Sequence, residues 1–464
     1  MSKSRPVKFY ILTVLMMLIS VFLVACGDNT ATPVPATTAA PTKAATTAAA
    51  TTAAATTSAT TTAAAATTTA AAATTVAAAT TGAATSTAPL VIGMINSRTG
   101  ALAGYGKMVD DSWPAAIEYF TKGTGKIAGR EVKLVVEDDA GDANKAVEAA
   151  RKLVQQDKAE ILVGTVSSAA AIQVAAVNEK ELKKIFIVDP AADQSVTGAA
   201  FNKYTFRTAR NTDQDAAAGA PYAVELASKK NKKIAHIYQD YAFGQGANVA
   251  WKEIATKTAG IQWTEVAVPL TATDYTPYIQ KVLDAAPDVL VLNWAGATAI
   301  KLFQQMKDND IYSKMALVSP IGDAKATVKS QGDTVIGAVG VGIYWHQFPK
   351  NAENDFLVKY YKEKYNTFPD VFDTSGMNLV SAINSALTKT NGDTDPEKLI
   401  TVMEGMSFPS AKGTLTFRKE DHQALQPMYL VEMTKDTTGT FGFPVPKLLK
   451  ELSAQESAPP IRRK

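Results

Sequence analysis

The sequence predicts an α/β protein of two lobes, each a mostly parallel sheet flanked by helices. Three observations carry this. Short apolar segments alternate with helix-length amphipathic ones. The strand segments, such as Ile161-Leu-Val-Gly164 and Val289-Leu-Val-Leu292, are apolar throughout rather than every second residue, as strands buried on both faces are. The rhythm stops after Arg207-Thr208 and then starts again.

In order along the chain, Leu90-Val-Ile-Gly-Met-Ile-Asn96 reads as a strand ending in a polar loop. Residues 106–122 read as a helix, with Pro114 arguing for a kink or a late start. Glu131–Glu137 is a strand, followed by Asp138-Asp139-Ala-Gly-Asp142. Residues 142–157 place Ala146, Val147, Ala150, Leu153 and Val154 on one helical stripe. Then come the strand at 161–164, a helix from Ser168 and the strand Ile185–Val188. The second run has strands at 234–238, 289–292 and 316–319, with helices over 212–228, 244–258, 273–285 and 297–309. In such sheets ligands sit beyond the carboxyl ends of the strands, and with two lobes the pocket is expected between them.

Folded sequence begins near Pro89. Residues 1–8 carry Lys3, Arg5 and Lys8, and residues 9–25 are almost wholly apolar, the pattern of a secretory signal. The run is also close to the length of a spanning helix, so an uncleaved anchor is the alternative. Of residues 30–88, fifty are Ala or Thr. With no large apolar side chain to offset chain entropy, this stretch is expected to be a disordered tether, spanning roughly 40 Å as a coil. Its composition is similar to that of stalks that accept O-glycans.

Lys3, Arg5 and Lys8 account for the whole excess of 47 basic over 44 acidic residues. The rest is charge-balanced, which argues against a polybasic nucleic-acid binder. One Cys and three His exclude a Cys-based zinc site and a disulfide. Gly100-Ala-Leu-Ala-Gly-Tyr-Gly-Lys-Met108 lacks the spacing and the Ser/Thr of a phosphate loop, and there is no G-x-S-x-G elbow. His236 is expected in the core, His422 in solvent, and His346 is the one histidine suited to a pocket. Asp138-Asp139 reads as a solvated loop, with Asp142 capping the helix after it. No set of residues assembles a catalytic centre, so an enzyme is not expected. Gly164-Thr-Val-Ser167-Ser168-Ala-Ala-Ala171 opens a helix with small residues, a start whose free N–H groups suit an anion.

Leu23-Val24-Ala25-Cys26 resembles the lipobox of bacterial lipoproteins, which implies cleavage before Cys26 and its acylation. The folded part resembles type I periplasmic binding proteins of ABC importers, in particular the leucine/isoleucine/valine-binding group. The resemblance spans nearly all of 89–445. It rests on Ile92-Gly-Met, Thr99-Gly-Ala-Leu-Ala-Gly-Tyr105-Gly, Glu137-Asp-Asp-Ala-Gly-Asp, Val163-Gly164 with Ser167-Ser168, Pro190-Ala-Ala, Tyr204-Thr-Phe-Arg207-Thr, Tyr241-Ala-Phe243-Gly244-Gln-Gly246 and Gly413-Thr-Leu-Thr-Phe-Arg. It implies three hinge crossings, near 208, 343 and 428. The lobes would then be 89–208 with 343–428, and 209–342 with 429–450, followed by a tail over 451–464 and preceded by a signal over 1–25 and a lipidated tether over 26–88.

The resemblance also implies pocket roles. Tyr105 packs on the ligand. Ser168 takes its carboxylate, with Ala169 beside it. Ala191, Ala192 and Asp193 hold carboxylate and ammonium. Phe243, Trp294 and Ala295 form the second lobe's wall, and Phe372 is a side-chain-pocket aromatic. Two departures stand out. Asp193 replaces a hydroxyl residue, and Ile321 falls where the family has a Glu for the ligand ammonium. Asp193 or Asp323 supplies that carboxylate in one reading. In the other, Asp193 caps the following helix. The expected function is capture of a small ligand, a branched-chain or similar amino acid first. An amide, urea-like or aromatic-acid ligand, or a sensor signalling to a membrane partner, is the alternative. A monomer without metal or cofactor, lipid-anchored on the outer face of the membrane and serving ABC permease subunits, completes the expectation.

Overall fold

Residues 88–319 and 324–463 are described by a computed structural model. The signal segment, Cys26, the Ala/Thr tract up to residue 87, Ile321 and Asp323 lie outside the described residues. In chain order the first run comprises β1 (Leu90–Asn96), α1 (Ala103–Phe120), β2 (Lys126–Ile127), β3 (Arg130–Asp138), α2 (Ala143–Gln155), β4 (Ile161–Gly164), α3 (Ser168–Val177), β5 (Ile185–Val188) and β6 (Thr205–Arg207). The second comprises α4 (Thr212–Ser228), β7 (Lys233–Gln239), α5 (Ala242–Ala255), β8 (Gln262–Val268), α6 (Thr276–Ala285), β9 (Val289–Asn293), α7 (Ala299–Asp308), α8 (Ile311–Lys314), β10 (Ala316–Ser319), α9 (Lys325–Gln331) and β11 (Val339–Gly342). There follow α10 (Ala352–Tyr365), α11 (Ser375–Lys389), α12 (Pro396–Met403), β12 (Ser407–Ser410), β13 (Gly413–Phe417), β14 (Ala424–Leu425), β15 (Met428–Thr434) and β16 (Val445–Leu452).

The wholly apolar segments lie where burial on both faces demands them. β1, β4 and β5 are interior strands of a six-stranded sheet ordered β2-β3-β1-β4-β5-β6, parallel except for β2. The second sheet has seven strands, β16-β15-β11-β10-β9-β7-β8, with β15 and β16 antiparallel. A small sheet of β12, β13 and β14 packs with α11 on the first lobe, where Leu379, Phe408, Leu415 and Phe417 join the core of Leu90, Ile92 and Trp113. The second lobe's core centres on Trp251, Ile234 and Val341, and takes in Met428 and Leu452. The chain therefore passes between lobes three times: between β6 and α4, between β11 and α10, and between β14 and β15.

The helix at 212–228 occupies its expected residues, α3 begins at Ser168 as expected, and the other expected helices shift by a few residues. Pro114 does not delay α1, which begins at Ala103 and runs through it. It sits mid-helix on the exposed face. Asp142 caps α2 through Asn144 and Lys145 N–H. Its neighbours do not form a merely solvated loop, however. Asp139 is buried and accepts from Ser97 Oγ at 2.6 Å. His236 is in the core, bonded to Asn248 and Asn293, and burial pushes its pKa down to about 4. His422 is not in solvent: it is buried and stacks on Phe206 with ring centres 3.8 Å apart, which repays its desolvation with aromatic contact.

Residues beyond β16 do not trail away. Ser457 is buried and donates to Gln426 O, and Pro459 O accepts from Arg418 on the first lobe at 2.7 Å. Arg463 lies over Phe201, also on the first lobe, while Arg462 forks onto Asp213 of α4 and reaches Glu253 of α5 at 2.7 Å. The segment thus straps both lobes behind the hinge. Arg462→Ala leaves the buried Asp213 without its partner and is expected to lower stability by about 1–2 kcal/mol, read as a shift in urea midpoint.

Candidate ligand site

The site is built from the segments that follow β1, β4, β5 and β6 and the loop between α10 and α11 on one lobe, and from those that follow β7 and β9 on the other. β4 ends at Gly164, whose φ is +120° and where a Cβ would stand 2.0 Å from Ile95 O, so only glycine lets the chain turn there. Ser167 then caps α3. Ser168, the first residue of the helix, turns its hydroxyl the other way: Oγ accepts from the N–H groups of Ala192 and Asp193, each at 3.2 Å. With both lone pairs engaged, the hydroxyl hydrogen is left to donate, and Ser168 lines a cavity.

That cavity lies between the lobes. Leu102, Tyr105, Val166, Ser168, Pro190, Ala192 and Phe372 line it from the first lobe, and Tyr241, Phe243 and Ala295 from the second. Tyr105 and Phe372 meet edge to face with ring centres 4.9 Å apart, and Tyr241 and Phe243 stand 6.1 Å apart. Burial pushes the Tyr241 hydroxyl well above its ordinary pKa, so it stays protonated.

The remaining wall is Arg210, on the first crossing. It is buried, donates from Nη1 to Pro190 O at 3.3 Å, holds its guanidinium 5.7 Å from the centre of Phe372, and pairs with Asp215 at 3.4 Å. Its position is fixed locally. Asn211 and Gln214 form a reciprocal capping box at the start of α4, with Asn211 Oδ1 accepting from Gln214 N at 2.9 Å. Arg210 is the one charged side chain lining the cavity among the described residues. The site can therefore hold an anion against Arg210 and Ser168 and sandwich a flat or branched apolar body among aromatic rings.

Of the residues singled out in sequence, Tyr105, Ser168, Ala192, Phe243, Ala295 and Phe372 come together here. Ala169, Ala191, Asp193 and Trp294 do not line the cavity. Ala169 lies one helix position past Ser168. Ala191 bonds through its backbone to Thr165 O. Trp294 packs on Tyr275 within the second lobe's core and donates to Thr298 Oγ1. Asp193 takes the capping role: its Oδ1 accepts from Ser195 N at 2.6 Å. Its other oxygen lies where a Cβ on Gly246 of the opposite lobe would approach to 2.0 Å. Asp323 lies outside the described residues. His346 is not a pocket histidine either. It is buried against Phe368 at 4.2 Å, outside the cavity, and burial among Lys325, Lys362 and Lys350 pushes its pKa down to about 3. Sequence reading missed Arg210 and Tyr241. Arg210 had one usable signal: a cation two residues past the first expected crossing.

Two α/β lobes that share a cavity at their strand ends define a solute-capturing protein. Residues 89–438 match the periplasmic binding protein family model. The chain is 25% identical over 361 residues to Leu/Ile/Val-binding protein homolog 6 of Brucella melitensis, covering 75% of this chain and 89% of that protein. Among solved structures, it is 36% identical to an ABC-type branched-chain amino acid transporter protein of Rhodopseudomonas palustris, with a TM-score of 0.67 over 81% of this chain and 100% of that one. It is 25% identical to another Rhodopseudomonas palustris solute-binding protein, in complex with 3,4-dihydroxybenzoic acid, with a TM-score of 0.70 over 80% and 98% of the two chains. This chain belongs to the periplasmic binding protein family, the solute-binding proteins of ABC transporters, which work outside the cytoplasm and catalyse no reaction. No helix among the described residues is long and apolar enough to cross a membrane.

Proposed function

We propose that this protein captures a small carboxylate with an aromatic or apolar body and presents it to an ABC importer. The observation that carries the reading is Arg210 beside Ser168 in an aromatic-walled cavity whose described lining includes no carboxylate to receive an ammonium group. A zwitterion would bring its ammonium towards Arg210 with no carboxylate opposite it in the described lining, which like-charge repulsion in a buried site disfavours. The relative bound to 3,4-dihydroxybenzoic acid supports this ligand class. The second reading is a branched-chain amino acid, favoured by the names of two relatives.

A thermal-shift panel of benzoates, aliphatic acids, amino acids and amides on protein refolded free of ligand tests the proposal. Binding stabilises the folded form by RT ln(1 + [L]/Kd), about 4 kcal/mol at a thousandfold excess over Kd. Carboxylates without an ammonium group are expected to shift the midpoint, and a shift by amino acids alone would favour the second reading. Ser168→Ala is expected to weaken carboxylates by about 1–3 kcal/mol in calorimetry, and an unchanged Kd would remove Ser168 from the site.

We further propose that Cys26 carries the lipid anchor and that residues 26–88 let the lobes reach a permease. The support is the Leu23-Val24-Ala25-Cys26 motif after an apolar run. At roughly 0.8 kcal/mol per buried CH₂, two or three acyl chains hold firmly. Labelling of cells with a palmitate analogue, lost in Cys26→Ala, is the expected result.

A further inference from the structure

We infer that Asp215 is a positioning residue for ligand capture, and that it takes up a proton when a carboxylate binds at Arg210. The inference rests on the carboxylate reading above. Asp215 lies in the first turn of α4, is fully buried, and neither of its carboxylate oxygens has a hydrogen-bond partner. The cation paired with it is Arg210, whose Nε stands 3.4 Å away but is not aligned for a hydrogen bond and has no other acceptor. The same arginine is a wall of two spaces at once. One is the ligand cavity. The other is a small crevice at the hinge, lined also by Asp189, Asn378, Lys412 and Gln426. Pro190, Arg210 and Phe372 line both.

The charges around Asp215 are few. Arg207, at the end of β6, is committed to Gln423 Oε1, Asp193 O and Thr197 Oγ1. Lys412, in the turn between β12 and β13, donates to Gln426 Oε1 at 2.5 Å. Asp189 has donors of its own in Ser375, Asn378 and Thr208. Asp213, two residues before Asp215, is paired with Arg462. Lys412 also acts on Asp215 through its charge, but it does not line the ligand cavity; Arg210 both lines that cavity and pairs with Asp215, so it is the cation that a ligand carboxylate and Asp215 share. Two anions on one buried guanidinium repel each other. Burial already holds the Asp215 carboxyl up at about 6, with Arg210, Lys412 and Arg207 opposing the rise. A second anion raises it further, so near neutral pH a proton passes from solvent to an Asp215 oxygen as the carboxylate enters. Asp215 becomes a neutral acid, the ligand stays ionised, and Arg210 keeps one counter-ion.

The test is calorimetric titration of the full chain with benzoate, which is ionised throughout pH 6–8, in phosphate and in Tris. These buffers differ in ionisation heat, so the difference between them counts protons. The wild type is expected to take up a substantial fraction of one proton per ligand at pH 7, and its affinity to fall between pH 6 and 8 by up to tenfold per unit. Asp215→Asn is expected to bind with no uptake and a flat pH profile. Binding without proton uptake across this range overturns the inference and leaves the ligand reading intact, as does uptake that persists in Asp215→Asn. If that variant does not fold, the two-buffer comparison on the wild type decides alone. If no carboxylate binds the wild type at all, the ligand reading fails and the inference falls with it.

Discussion

Replacing Arg210 with Met raises the dissociation constant for benzoate at least a hundredfold. Arg210 is buried, lines the cavity, and is the one cation there among the described residues. Truncating one partner of a buried, hydrogen-bonded charge pair costs about 2–5 kcal/mol, because the other charge is left in a poor dielectric. Met keeps much of the apolar stem that lies against Phe372, so the loss reads as lost charge rather than lost packing. Calorimetry checks this, with the denaturation midpoint of the ligand-free variant showing whether it remains folded. A change in Kd of less than threefold would mean that the carboxylate sits elsewhere.

Gly246→Val is expected to lower affinity for any ligand tenfold or more while leaving each lobe folded. Gly246 lies on α5 of the second lobe, and a Cβ there would come within 2.0 Å of Asp193 Oδ2 on the first. Asp193 cannot easily yield, since Ser195 N and its own backbone hold it in place. The added side chain acts as a wedge between the lobes, so the competent closed state loses population and apparent affinity falls in proportion. Scattering with saturating ligand is expected to show a larger radius of gyration for the variant than for the wild type. Equal radii and equal affinities would show that the lobes do not need this contact.

Much of the architecture was legible because its strands are buried on both faces and its helices on one, and each leaves its own period in the sequence. β4 and β9 are uninterrupted apolar runs, and α2 carries a clean stripe. The small sheet of β12–β14 and the antiparallel β15 and β16 were not read from the residues. β16 is an exposed edge strand, and its burial follows no simple alternation. The strap over 453–463 was read as a tail because its anchors are long-range: Arg418, Phe201, Asp213 and Glu253 are distant in sequence.

The site was legible where a short motif stands next to a strand end, as at Ser168 and Phe243. It was not legible where function depends on which way one long side chain turns. Arg207 and Arg210 are three residues apart and alike in sequence. Arg207 faces a buried hinge network and Arg210 the cavity. The same holds for Asp193, where only the geometry distinguishes a cap from a ligand contact.

The central claim is that a carboxylate, not an ammonium group, is what the buried site recognises. Titrating ligand-free protein with benzoate and with leucine, under identical conditions in a calorimeter, tests it most directly. Saturable binding of benzoate with a Kd at least tenfold below that of leucine is the predicted result. Tight binding of leucine with no heat from benzoate would contradict it, and would place the decisive charge on a carboxylate rather than on Arg210.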